Sequence, residues 1–293
     1  MNMNAKHTRS TPIALEVRKE TRFDFSTVPA IHTEDNLYIS HLFNALSLIA
    51  PITEGMLIRA IRDAQPLLQG SVLAADAQAF IGQEAIHTRE HREFNRRLGE
   101  LGFSIEKMSE VMESITKKNE STMSLKQRLA VVVTGEHVIY SLSRAFLAAD
   151  LKGFQQHPEV TRLLKWHALE EMEHQSVCHD IYTHLYGNSV ANQLVYNLTF
   201  VGINRSLYQG VAQLMKALLA QDRAPRKGEF LAFLRWMLRD PAIGKDIARE
   251  LLAYFSPVFM HWRRSNDDQR LIRENLDFVY QMPPESARNL YAV

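Results

Sequence analysis

The sequence predicts an all-α protein, a four-helix bundle with additional C-terminal helices, on three observations. Apolar residues recur at steps of three and four through six successive segments. No run alternates strictly enough to read as a strand. The breaks between segments fall at proline and glycine, where helices start and stop.

Segments 34–49 and 53–68 read as two helices, with Pro51 opening the second, because proline suits a first helical turn better than an interior one. The long stretch 70–99 follows and closes at Gly99 and Gly102. A shorter helix spans 105–118, and the apolar pattern of 124–149 gives the next. His157-Pro158 separates it from 159–186, read as one continuous helix. Beyond Gly187 a helix runs to about Gln221, followed by the linker DRAPRKGE and shorter helices punctuated by Pro241, Pro257 and Pro283-Pro284. A chain of 293 residues, 46% of them hydrophobic, can bury a large core without covalent staples. The expected organisation is one helical domain over 1–293: a bundle of about 34–186 with a C-terminal extension of about 187–293 packed on it.

A formal charge of +1, from 34 basic and 33 acidic residues, leaves no electrostatic footprint for nucleic acid or an anionic membrane. Polar and charged residues fill the N-terminus MNMNAKHTRSTPIALEVRKE where a signal peptide needs an apolar run. Cys178 is the single cysteine, which fits a reducing compartment, so a cytoplasmic location is expected. The apolar stretch LVYNLTFVGINRSLYQGVAQLMKALLA is broken by Asn197, Asn204 and Arg205. It reads as a buried helix or a subunit contact, compatible with a homodimer, and not as a membrane span.

The stripe that should face the bundle core carries chemistry that cores exclude. In 159–186 it runs Val160, Leu164, His167, Glu171, His174, Cys178, Ile181, Leu185. In 70–99 it runs Leu73, Ala77, Phe80, Glu84, His87, His91, and in 124–149 Leu129, Val132, Glu136, Tyr140. Segment 53–68 places Glu54 on the same kind of face. Buried carboxylates without partners are costly, so several on facing helices require a compensating cation. Two single glutamates, Glu54 and Glu136, plus two Glu-x-x-His pairs, Glu84/His87 and Glu171/His174, form the donor set of ferritin-like dinuclear carboxylate proteins. Residues three apart on a helix lie side by side, so each Glu can bridge two metals while its His binds one.

His167, one turn before Glu171, extends the second pair to H-x-x-x-E-x-x-H and reads as a seventh ligand. His91, one turn beyond His87, is either a ligand or a hydrogen-bond partner of one. Glu170 and Glu173 fall off the stripe and read as surface acids, with Glu170 able to assist from the flank. His137 and His179 read as ordinary partly buried histidines and Cys178 as a small core residue. Tyr140, one turn beyond Glu136, is a weak catalytic candidate.

The stretches NALSLIAPITEG, FIGQEAIHTREHREFN, TGEHVIYS and WHALEEMEHQSVCHDIY, with the late FSPVFMHW, resemble the family of predicted metal-dependent hydrolases, placed among ferritin-like folds. The ligand order E, ExxH, E, HxxxExxH is also similar to that of the p-aminobenzoate N-oxygenase family of di-iron enzymes. That likeness carries onto Glu54, Glu84, His87, Glu136, His167, Glu171 and His174. It implies a di-iron oxygenase or oxidase acting on a small organic substrate, using O2 and an external reductant. The hydrolase likeness implies a metal-activated water instead. A non-catalytic metal-binding bundle is the third reading. Two metal ions are expected: iron, with manganese as the alternative, or zinc if the chemistry is hydrolytic.

Overall fold

The computed structural model describes residue 15 and residues 17–148, 155–174, 176–238 and 266–279. Its helices are α1 Leu37–Ala64, α2 Leu73–Glu100, α3 Ile105–Ser121, α4 Leu125–Ala148, α5 Pro158–His174, α6 Val177–Tyr186, α7 Val190–Leu219, α8 Glu229–Met237 and α9 Asn266–Val279, with a 3-10 turn at Gln65–Leu68. Among the described residues there is no strand, only a bridge between Thr33 and Gln156. The all-α expectation holds.

Two boundaries differ from the sequence reading. The first two segments are one helix, α1, with Pro51 inside it. An interior proline leaves the carbonyl four residues back without its N–H partner; here that is Ser47, and Asn95 Nδ2 on α2 donates to it at 2.9 Å. A tertiary contact thus repairs what local sequence reads as a helix start. The last bundle segment is instead two helices, α5 and α6, which part just after His174. They pack on different neighbours, α5 against α4 and α9, α6 against α4 and α2.

Asn36 starts α1 by accepting from the amides of Tyr38 and Ile39 at 3.0 and 3.1 Å, satisfying donors that a helix start leaves free. Gly102 and Gly187 follow α2 and α6 with φ of +99° and +75°, values that suit glycine. Along α1, α2, α4 and α5–α6 the apolar core divides into two clusters. One contains Leu48, Ile86, Phe94, Tyr140, Leu163 and Trp166; the other contains Leu57, Ile61, Phe80, Val133, Ile181 and Tyr182. Between them each helix passes through one polar layer, holding Glu54, Glu84, Glu136 and Glu171. The apolar layers exclude water from both sides of that layer.

Residues 17–36 precede the bundle and run across it without regular structure. His157 N donates to His32 O, and the Arg97 and Arg89 side chains donate to Val28 O and Thr21 O. The segment approaches α2 closely at Gly82, where a Cβ would lie 2.8 Å from Val17 Cγ2. That contact sets the neighbouring Arg18 beside the polar layer.

The C-terminal helices pack back on the bundle, α7 on α1 and α4, α9 on α4 and α5. α7 is amphipathic and only half covered, so the expected burial holds for one of its faces. Tyr196, Phe200, Leu214 and Leu218 are buried, while Leu194, Leu198, Val201 and Tyr208 are exposed. By length and composition alone, one region among the described residues, Leu37–Leu68, is apolar enough to cross a membrane. More than half of that window is buried inside the bundle, and it carries Glu54 into the polar layer. The sequence landmarks Pro241, Pro257 and Pro283-Pro284 lie outside the described residues.

Candidate metal centre

α1 contributes Glu54, α2 Glu84 and His87, α4 Glu136, and α5 His167, Glu171 and His174. All except the partly covered His167 are at most 2% exposed. Donor atoms of Glu54, His87 and His167 lie within 4.8 Å of one another, and so do those of Glu84, Glu136, Glu171 and His174.

Two carboxylates face both groups. Glu171 Oε1 lies 2.8 Å from His167 Nε2 and 3.4 Å from His87 Nδ1, while its Oε2 lies 3.4 Å from His174 Nδ1. Glu84 Oε1 lies 3.0 Å from His174 Nδ1, with Oε2 4.0 Å from His87 Nδ1. Glu136 Oε2 stands 3.3 Å from His174 Nδ1, and Glu54 Oε1 3.7 Å from His167 Nε2. Glu84 and Glu171 therefore each face both groups, whereas Glu54 and Glu136 each face one.

The donors fit a pair of cations. Among the described residues, Glu54 Oε1, both oxygens of Glu84 and Glu136, Glu171 Oε2, and Nδ1 of His87 and His174 are buried with no aligned hydrogen bond, facing other atoms of the cluster. Polar atoms are rarely left so in a protein interior. Here they converge, and their oxygen-rich mix with imidazole suits iron, manganese or zinc.

The outward atoms of the same rings are occupied. His87 Nε2 lies 2.9 Å from Glu170 Oε2, and Glu170 Oε1 accepts from Trp166 Nε1 and Arg18 Nη1, each at 3.0 Å. His174 Nε2 lies 3.2 Å from Gln83 Oε1, while Gln83 Nε2 and Arg18 Nη2 donate to Glu173 at 2.9 and 2.7 Å. The residue before each Glu-x-x-His thus serves the histidine of the other helix. Glu54 Oε2 accepts from Thr88 at 2.7 Å. His167 Nδ1 lies 2.7 Å from His91 Nε2, and His91 Nδ1 2.9 Å from Ser47 Oγ.

Charge is unevenly held. Burial and the nearby Glu84 push Glu54 well above the usual carboxylate range. Burial and Glu171 push Glu136 up to about 8. Burial would also raise Glu171, but His174, His167 and His87 hold it well below its ordinary value. Burial opposes charge on His87 and His174, yet Glu170 and Glu171 raise the first and Glu171 and Glu136 the second, well above the imidazole range. Without metal, protons take the place of the cations.

Several sequence readings change. Glu170, expected at the surface, is buried and holds His87; Glu173, also expected there, is largely covered by Arg18 and Gln83. The off-stripe positions are buried because residues 17–36 and α2 cover that flank of α5. Both ring nitrogens of His91 are engaged, with His167 and Ser47, which makes it a hydrogen-bond partner in this structure. Tyr140 donates to Asp268 on α9 at 2.9 Å, tying its hydroxyl to the C-terminal extension. Cys178 is a buried free thiol pushed well above its usual range by burial and by Glu136. Arg18, Gln83, Ser47 and Asn95 escaped the sequence reading, although Gln83 and Glu170 shared a signal, a polar side chain directly before each ligand glutamate.

The model of one family, described as predicted metal-dependent hydrolase, matches residues 17–265. The chain belongs to that family. Its matched span contains every donor of the centre. No curated protein and no solved structure matches the chain significantly.

Proposed function

We propose that this member of the predicted metal-dependent hydrolase family is a dinuclear-metal enzyme, and that its centre holds iron and oxidises a small organic substrate with O2. The observation that carries the reading is the pair Glu84 and Glu171, each offering one oxygen to each half of the site. Four carboxylates carry enough negative charge to balance two divalent cations, and oxygen donors favour the harder, oxidised state of a redox metal. When bound, such a pair would supply electrons to O2.

The chain's own residues set the conditions. Phe80 packs on His174 at a centroid distance of 4.8 Å and Trp166 on His87 at 4.9 Å, closing the layer to water. Glu170 takes the outward proton of His87, which orients the ring and strengthens its inward nitrogen as a donor. Thr88 occupies one oxygen of Glu54 and leaves the other directed inward.

Metal-assisted hydrolysis is the second reading, favoured by the family description. Both readings share a first expectation, two metal ions per chain by elemental analysis. They separate on redox dependence. Anaerobically reduced, iron-loaded protein should consume O2 and oxidise a bound organic substrate, and zinc-loaded protein should do neither. Turnover of ester or phosphoester substrates by the zinc form, with no O2 uptake by the iron form, would establish hydrolysis instead.

A further inference from the structure

We infer that Asn95, Ser47 and His91 are positioning residues that fix a proton on His167 Nδ1 and turn its Nε2 toward Glu54 and Glu171. This half of the centre is thereby completed by a second imidazole nitrogen. The inference rests on the dinuclear reading above and adds a device that sets the direction of every hydrogen in a row of four side chains.

The direction begins at a backbone atom that can only accept. Pro51 supplies no N–H to Ser47 O, so Asn95 must turn its Nδ2 toward that carbonyl, at 2.9 Å. The amide orientation follows, with Asn95 Oδ1 facing Ser47 Oγ at 2.9 Å. Oδ1 can only accept, so the Ser47 hydroxyl proton is committed to it. Ser47 Oγ is then the acceptor for His91 at 2.9 Å, which places the His91 proton on Nδ1. A neutral imidazole carries one N–H, leaving His91 Nε2 as an acceptor 2.7 Å from His167 Nδ1. The Nδ1 proton of His167 is therefore fixed, and only Nε2 remains to take a proton or a metal. That atom stands 2.8 Å from Glu171 Oε1 and 3.7 Å from Glu54 Oε1, among the donors of the first half.

His87 and His174 are oriented by a carboxylate and an amide; His167 is oriented by another histidine. A row ending in a neutral ring adds no negative charge, so it fixes geometry without raising the anionic charge of the site.

The test uses full-length protein labelled with 15N-histidine, metal-free and zinc-loaded. Nitrogen shifts should show Nδ1 protonated on both His167 and His91 and Nε2 bare on His91; a bare His167 Nδ1 overturns the inference. Ser47→Ala removes the acceptor that fixes His91 and should weaken zinc at one of the two sites by about 10- to 100-fold, leaving the other unchanged. His91→Leu should do the same, while His91→Gln, which keeps an amide oxygen for His167 and a donor for Ser47, should restore two-site binding. Two zinc ions bound with unchanged affinity in both Ser47→Ala and His91→Leu would also overturn it. If wild-type protein fails to bind two metals, the dinuclear reading falls, while the metal-free spectrum still decides the proton positions.

Discussion

The two halves of the metal centre use the same donor types but anchor them differently. In the half built on Glu54, His87 and His167, each donor is held from behind: Glu54 by Thr88, His87 by Glu170 and His167 by His91. In the half built on Glu136 and His174, only the histidine is held, by Gln83. Among the described residues Glu136 meets only His174 Nδ1, at 3.3 Å, with no hydrogen bond behind either oxygen, and burial keeps its proton on up to about 8. An anchored carboxylate keeps one geometry, whereas an unanchored one can move between one-oxygen and two-oxygen coordination. The cluster thus pairs a firmly anchored group with a less anchored one, and Glu84 and Glu171 face both.

Removal of a residue that faces both halves should have the largest effect. Glu171→Ala should abolish binding at both halves, leaving less than one metal per chain by elemental analysis, because each oxygen of Glu171 serves a different half. Glu136→Ala should instead leave one metal, held by Glu54, His87 and His167. Equal losses in the two variants would show that the halves are not separable.

Much of the buried carboxylate and histidine cluster was legible in the sequence. Steps of three and four place Glu54, Glu84, Glu136, Glu171 and both paired histidines on inward faces, and buried carboxylates have few explanations other than a cation. The outer contacts were not legible, because they depend on which flank of a helix meets which neighbour. Arg18 lies in a segment with no periodicity, yet it reaches Glu170 and Glu173 across about 150 residues of chain. Pro51 misled for the same reason: local chemistry marks a helix start, and only Asn95, which donates to Ser47 O across 48 residues of sequence, shows why the helix continues.

pH has a smaller effect on the two halves. His87, His174, Glu54 and Glu136 retain protons that a cation must displace, so metal uptake releases protons and strengthens as pH rises toward 8 in both halves. The stability of metal-free protein moves the other way. Glu136 has its pKa raised on folding, so its contribution is complete below its unfolded value near 4.3 and is lost as pH rises through about 8. Thermal unfolding of metal-free protein should therefore shift down from about pH 5 to about pH 8, and zinc-loaded protein should not follow it. A parallel fall in both forms would locate the effect elsewhere.

The smallest expected effect on metal binding comes from Arg18, which touches no donor and yet serves both halves. Its guanidinium donates to Glu170, which holds His87, and to Glu173, which holds Gln83 and through it His174. Glu170→Gln should weaken only the Glu54 half, since its sole link to a donor is His87. Arg18→Met, which keeps the buried stem and removes the charge, should weaken both halves together by a few-fold. It should also cost about 3 kcal/mol of stability, because buried Glu170 loses its permanent cation and keeps only His87 and Trp166 as partners. Zinc titrations that resolve the two sites, with denaturant unfolding beside them, separate these outcomes. If Arg18→Met lowers stability by that amount and leaves both zinc affinities unchanged, the guanidinium only neutralises buried charge, and the two halves are oriented independently.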